Sequence, residues 1–257
     1  YDKFIPEWYN DPYSLRYAIG IPKEKIWKAH MIEKKKLIDI VNNSTDSKFL
    51  YDVFTICFAR RSTAYKRPDL VFYDTERLAH ISEIRGPIQF IFSGKAHPND
   101  YYGKELIKRI NIIAKELKNK INIVFLENYG IELARLLVSG VDLWLNTPKK
   151  PNEASGTSGM KAAHNGVPSL SILDGWWIEG CIEGITGWSI GSTDDRHNTD
   201  AEDAELLYDK LENIVIKKFY NEHSKWIDIM RNAIALNASF FNTHRMVQQY
   251  VTNAYVY

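Results

Sequence analysis

The sequence predicts an α/β domain with a doubly wound parallel sheet. Short apolar runs rich in β-forming residues recur along it, and amphipathic stretches of helical period fall between them. The connections are short, which puts helices on both faces of the sheet.

Residues 22–41, rich in Lys, Glu and Ile, predict an amphipathic connecting helix, and the polar stretch 42–48 breaks it. Residues 49–58 (FLYDVFTICF) are the first strand. Pro68 is expected to open a helix, where its missing N–H is harmless, with Leu70, Val71, Leu78 and Ile81 on one face. Residues 88–92 form the next strand, ended by Ser93-Gly94. A helix follows with Leu106, Ile107, Ile110, Ile113, Ala114 and Leu117 on one stripe. Strands are expected at 121–126, 141–145, 169–173 and 187–190, with helices at 131–138 and 159–165 between them. From Ala201 the chain turns helical, with Leu206, Leu207, Leu211, Ile214, Val215 and Phe219 on one face. Right-handed crossovers make the sheet Rossmann-like. The expected organisation is a connecting segment over 1–45, a Rossmann-like domain over 46–200, and C-terminal helices over 201–257 that pack on it or cross to a partner domain. There is no internal repeat and no low-complexity tract.

Composition narrows the function. With 257 residues, 45% hydrophobic and 25% charged, the chain has an ordinary globular make-up. A formal charge of +1 supplies no field for nucleic acid or an anionic membrane, so a basic site must be a local cluster. The two cysteines, Cys57 and Cys181, are too few for a disulfide scaffold and read as small packing residues. No apolar run reaches membrane-spanning length and no secretory signal stands at the start, so the cytoplasm is expected. The chain starts Tyr1-Asp2-Lys3-Phe4, without Met, and Trp8, Tyr9 and Tyr13 follow. Aromatics so placed need a neighbour to bury them, and a C-terminal portion of a longer chain is expected.

Ligands of such sheets bind beyond the carboxyl ends of the strands, so the loops there hold the chemistry. The loop after Leu145 leads through Glu153-Ala-Ser155-Gly156-Thr157-Ser158-Gly159-Met160 to Lys161. Two glycines flanking two hydroxyl residues at a helix start make an anion site, or merely an ordinary Ser/Thr cap. Lys161 is expected in the first turn of that helix, where a cation opposes the dipole; a lysine there is desolvated or bound to an anion. The loop after the first strand contains Arg60, Arg61, Lys66 and Arg67, enough charge for one or two phosphates unless it is a solvated run. The third loop includes His97, an acid or base if it is not structural.

Five pieces in order resemble the α-glucan (glycogen, starch, maltodextrin) phosphorylases, above all their short prokaryotic form. They are Phe58-Ala-Arg-Arg-Ser-Thr-Ala-Tyr-Lys66-Arg67, Gly94-Lys-Ala-His-Pro, Val124-Phe-Leu-Glu-Asn-Tyr129, Glu153-Ala-Ser-Gly-Thr-Ser-Gly-Met-Lys161 and Leu173-Asp-Gly-Trp-Trp. The resemblance implies the C-terminal half of a GT-B architecture, with the active site between this domain and an N-terminal domain of the same enzyme. It implies pyridoxal 5′-phosphate held covalently by Lys161, with Arg60, Lys66 and Thr157 around its phosphate and Gly156 and Tyr129 beside it. Arg61 and Lys66, the catalytic pair, match positions that hold orthophosphate or the phosphate of glucose 1-phosphate. Glu153, Ser155 and Gly156 match positions that grip the sugar. No metal is implied. The chain departs from the long form in three places: Gly159 stands for an Asn, Gly130 for an Arg that contacts the cofactor phosphate, and the residues between Arg61 and Tyr65 differ as well.

The implied reaction is retaining phosphorolysis of a terminal glucose from an α-1,4-glucan to α-glucose 1-phosphate, with this domain silent alone. A nucleotide-sugar glycosyltransferase of the same architecture, such as a glycogen synthase, and a non-catalytic glucan-binding module remain alternatives. Homo-oligomerisation is left open.

Overall fold

The computed structural model describes residues 1–191 and 198–256. Its strands are β1 (Phe54–Ala59), β2 (Ile88–Ser93), β3 (Asn122–Leu126), β4 (Leu143–Asn146), β5 (Ser169–Ile172) and β6 (Gly187–Ile190). Among the described residues they form one parallel sheet in the order β3-β2-β1-β4-β5-β6. The order reverses between β1 and β4, where a doubly wound sheet opens a crevice at its carboxyl edge.

Alternate side chains of each strand feed two cores, because successive residues point to opposite faces. Phe54, Ile56 and Phe58 of β1 join Phe90 and Phe92 of β2 on one face. That face is covered by α2 (Thr75–Arg85), α3 (Tyr101–Glu116), α7 (Asp200–Lys210), α8 (Ile216–Asn221) and α9 (His223–Asn232). Cys57, Ala59, Ile91 and Trp144 point the other way, onto α1 (Lys23–Ser44), α4 (Ile131–Gly140) and α5 (Thr157–His164). Burial on both faces is why β1 and β2 are mostly apolar, and the polar Thr55, Gln89 and Ser93 within them are buried too.

At the amino edge a buried charge cluster ties α1 to the sheet. Asp142 accepts from Lys34 Nζ at 2.5 Å and from the Thr55 backbone N–H at 2.7 Å, and pairs with His30 Nε2 at 2.8 Å. Ile5, Leu15 and Ala18 near the N-terminus pack into the same core as Trp226 of α9. Trp8 is half-buried there, whereas Tyr9 and Tyr13 remain exposed.

Besides shifts at the ends of α1 and β4, which runs from Leu143 rather than 141, the structure departs from the sequence expectations in four places. β1 starts at Phe54, not at 49, because the Gln89 side chain takes both backbone groups of Leu50, which then cannot join the ladder. Pro68 does not open a helix. Leu70–Phe72 form a short 3-10 turn, and α2 starts at Thr75, where the Asp74 carboxylate caps the Arg77 N–H at 2.9 Å. Leu70 and Val71 thus share a core with Leu78 and Ile81 but not a helix face. Leu206 is exposed while Leu207, Leu211, Val215 and Phe219 are buried. α5 starts at Thr157, two residues early, which moves Lys161 out of the first turn.

The chain ends in α10 (Thr243–Tyr250), continued by a π-helical turn over Val251–Tyr255. Neither buries any residue, and Val247, Tyr250 and Val251 form an exposed apolar strip. Tyr257, the last residue of this tail, lies outside the described residues. Among the described residues, no helix is long and apolar enough to cross a membrane.

Candidate active site

The loops leaving β1 and β4 meet at the switch point, and their charged residues meet on one carboxylate. Glu153 is 7% exposed. Its Oε2 accepts from Arg60 Nη2 at 2.7 Å, and Lys66 Nζ donates to Oε1 and Oε2 at 2.8 and 2.7 Å. The second Arg60 nitrogen donates to Asn146 Oδ1 at the end of β4, and Asn146 is held by Ser171 Oγ of β5 at 3.1 Å. Lys66 also lies 4.4 Å from the Tyr65 ring centroid.

Two cations on one carboxylate, Lys66 buried and Arg60 half-buried, leave an excess of positive charge at that contact, which favours an anion in the crevice. Burial pulls the Arg60 guanidinium below its ordinary value; Glu153 pushes back, and neighbouring Arg61 adds repulsion. Among the described residues Arg60 Nε and Thr63 Oγ1 are buried without a hydrogen-bond partner. Orphaned groups of this kind cost about 1–3 kcal/mol each, so a ligand that satisfied them would bind the better for it.

The Glu153 loop reaches α5 through Gly156, which is left-handed at φ 89°. The first N–H groups of α5 have no partner within the helix, as at any helix start. Thr157 is exposed, and Ser155 and Gly156 are half-buried. Lys161 is exposed and makes no side-chain hydrogen bond or ion pair among the described residues. It sits in the last turn of this eight-residue helix, where a cation complements the dipole. The expectation that Lys161 opposes the dipole therefore fails, and its claim to a role rests on its availability.

Tyr129 is half-buried beside the second core; burial raises its hydroxyl's pKa, and the charge of Arg60 acts against that rise. Gly130 has extended backbone with φ −140°, and a Cβ there would meet nothing nearer than the Asn128 carbonyl at 3.6 Å.

Other sequence candidates fall elsewhere. Arg67 does not belong to the phosphate cluster. It is 5% exposed, left-handed, and turned onto the carbonyls of Thr147 and Pro148 and the carboxylates of Asp200 and Asp203. Arg61 is exposed, with no side-chain partner among the described residues. His97 is exposed, and its Nδ1 accepts the Asn99 N–H at 3.2 Å, an ordinary local turn. The sequence reading gave no role to Asn146, and quoted Asp174 and Trp176 only within the Leu173-Asp-Gly-Trp-Trp piece, although each lies at or just beyond a strand's carboxyl end. That address was the available signal.

The carbohydrate phosphorylase family profile matches residues 20–185. Glycogen phosphorylase of Aquifex aeolicus is 42% identical over 258 aligned residues, covering 91% of this chain and 37% of that protein. Maltodextrin phosphorylase of Thermococcus litoralis is 42% identical, over 91% of this chain and 30% of that protein. An uncharacterized protein of Methanocaldococcus jannaschii is 33% identical over 93% of this chain. The chain spans about a third of the length of the two phosphorylases.

Proposed function

Because the chain belongs to the carbohydrate phosphorylase family, we propose that it is the cofactor- and phosphate-carrying part of an α-1,4-glucan phosphorylase. The observation that carries this reading is the buried Arg60–Glu153–Lys66 cluster at the switch point, one loop before the helix of Lys161.

The residues fit pyridoxal 5′-phosphate. Arg60 Nε and Thr63 Oγ1 are buried donors without partners, α5 offers free N–H groups after Gly156, and Lys161 is unpaired among the described residues. Lys161 would hold the group covalently, with Arg60, Thr157, Gly156, Tyr129 and Lys66 around it. When bound, it supplies a phosphate that exchanges a proton with the substrate phosphate.

The chain's own residues do the rest. Arg61 and Lys66 bind orthophosphate, and Glu153, Ser155 and Gly156 accept and donate hydrogen bonds to the terminal glucose. As the bond from glucose C1 to the next sugar's oxygen breaks, that oxygen takes a proton from orthophosphate. A phosphate oxygen then bonds C1 on the face just vacated, which retains the α configuration. Lys66 and Arg61 stabilise the phosphate opposite the positive sugar carbon, and the buried crevice strengthens that attraction. Lys66 does this by exchanging one of its Glu153 contacts for phosphate.

On this reading 46–200 is the cofactor and phosphate domain of a GT-B enzyme in the cytoplasm. Residues 1–45 connect it to an N-terminal domain, and 201–257 pack on it or cross to that partner. The complete enzyme, given maltodextrin and orthophosphate, should form α-glucose 1-phosphate at a rate that saturates with phosphate. Glucosyl transfer from a nucleotide-sugar, with no phosphorolysis, would overturn the reading.

A further inference from the structure

We propose that the Asp174-Gly175-Trp176 turn beyond β5 is a clamp that positions the Glu153–Lys161 loop, Asp174 holding Glu153 and Trp176 holding the first turn of α5. The proposal rests on the reading of that loop as the reactive site.

Asp174 is 4% exposed, and its carboxylate reaches no cation of the cluster. Its Oδ2 accepts the backbone N–H of Glu153 at 2.8 Å, and Oδ1 accepts the N–H of Gly175 at 3.0 Å. Two residues on, the Trp176 N–H donates to the Ser155 carbonyl at 2.8 Å. The turn is pressed against the loop: Gly175 is left-handed at φ 56°, and a Cβ there would come within 2.5 Å of the Ser155 oxygen. The Trp176 indole lies against α5, since a Cβ on Gly159 would stand 2.9 Å from its ring atoms and one on Gly156 3.3 Å away. The ring is itself fixed by Trp177 and Phe241, whose centroids lie 5.0 and 5.2 Å away.

These contacts set where the Glu153 carboxylate can reach. Its backbone is held by Asp174, so its side chain is delivered to Arg60 and Lys66 rather than searching for them. Fixing a group before reaction removes ordering cost from the reactive step. Asp174 and Trp176 touch neither cation, so both act through the loop as positioning residues.

The test uses the complete enzyme with Asp174→Ala, the conservative Asp174→Asn, which keeps one acceptor oxygen, and Trp176→Phe. The readouts are kcat and KM for orthophosphate, borohydride labelling of Lys161, and amide exchange of peptides covering 153–161 against those covering β2. Asp174→Ala should lower kcat at least about tenfold, which is about 1.4 kcal/mol. Asp174→Asn should recover part of that loss. Loop exchange should quicken in Asp174→Ala and Trp176→Phe while β2 stays protected. Unchanged kcat, KM and loop exchange in a folded Asp174→Ala protein overturn the clamp. If that variant loosens β2 as well, Trp176→Phe decides by the same criteria. An active wild type that leaves Lys161 unlabelled overturns the underlying reading and the clamp with it.

Discussion

Arg67 and Lys66 are adjacent cations that both meet protein carboxylates, and the proposal gives them different parts. Arg67 fills four hydrogen bonds with protein groups, two of them carboxylates, and Asp203 beneath it is buried. Removing one partner of such a pair strands the other, so Arg67→Ala should cost about 3–5 kcal/mol of stability in chemical denaturation. A loss under about 1 kcal/mol would show that solvent reaches Asp203. Lys66→Ala leaves Glu153 with Arg60 and should cost less stability. It should instead reduce kcat/KM for orthophosphate at least about tenfold, since charge-assisted bonds are worth about 1.5–3 kcal/mol. Unchanged phosphate saturation would return Lys66 to a purely structural part. Gly130 gives the converse test. Its extended backbone and open surroundings accept a side chain, so Gly130→Arg should change stability by no more than about 1 kcal/mol. A large loss on thermal unfolding would contradict that geometry.

At the scale of elements, the amphipathic stripe of α3 and the apolar runs of β2 and β6 were legible, because local pattern and burial agree there. Part of what escaped depended on side chains remote in sequence, as where Gln89 ends the pairing of Leu50. The Asp74 cap that starts α2 is local and was overlooked in favour of Pro68. The charged loop was found as a cluster, but not its sorting. Nothing local distinguishes Arg60, which meets Glu153 across 93 positions, from Arg67, which meets Asp203 across 136. The staple of α1 on the sheet was equally invisible, since Lys34 and His30 look like surface residues of a Lys-rich helix. Burial pushes the Asp142 carboxyl up, yet the Lys34 charge and the His30 hydrogen bond outweigh it and hold it below the ordinary value. A depressed carboxylate lends stability that is complete above its unfolded value, about 3.9, and is lost as pH falls through the folded value. Stability should therefore decline in acid more steeply in the wild type than in Asp142→Asn. Parallel acid titrations of the unfolding midpoint would refute this.

For the whole molecule, a crevice at the switch point has one wall here, and the proposed reaction needs a second. α10 and the turn after it present an apolar strip on which nothing among the described residues packs, of the kind that marks an interface. The 257-residue chain alone should form no glucose 1-phosphate, and amides of α10 should exchange far faster in it than in the complete enzyme. Turnover comparable to the complete enzyme would show the second wall to be dispensable. The central claim, that this fold carries the cofactor on Lys161, is tested most directly by borohydride reduction of the active complete enzyme followed by peptide mass spectrometry. The account predicts a pyridoxyl adduct on Lys161. An adduct on another lysine, or an active enzyme with none, would contradict it.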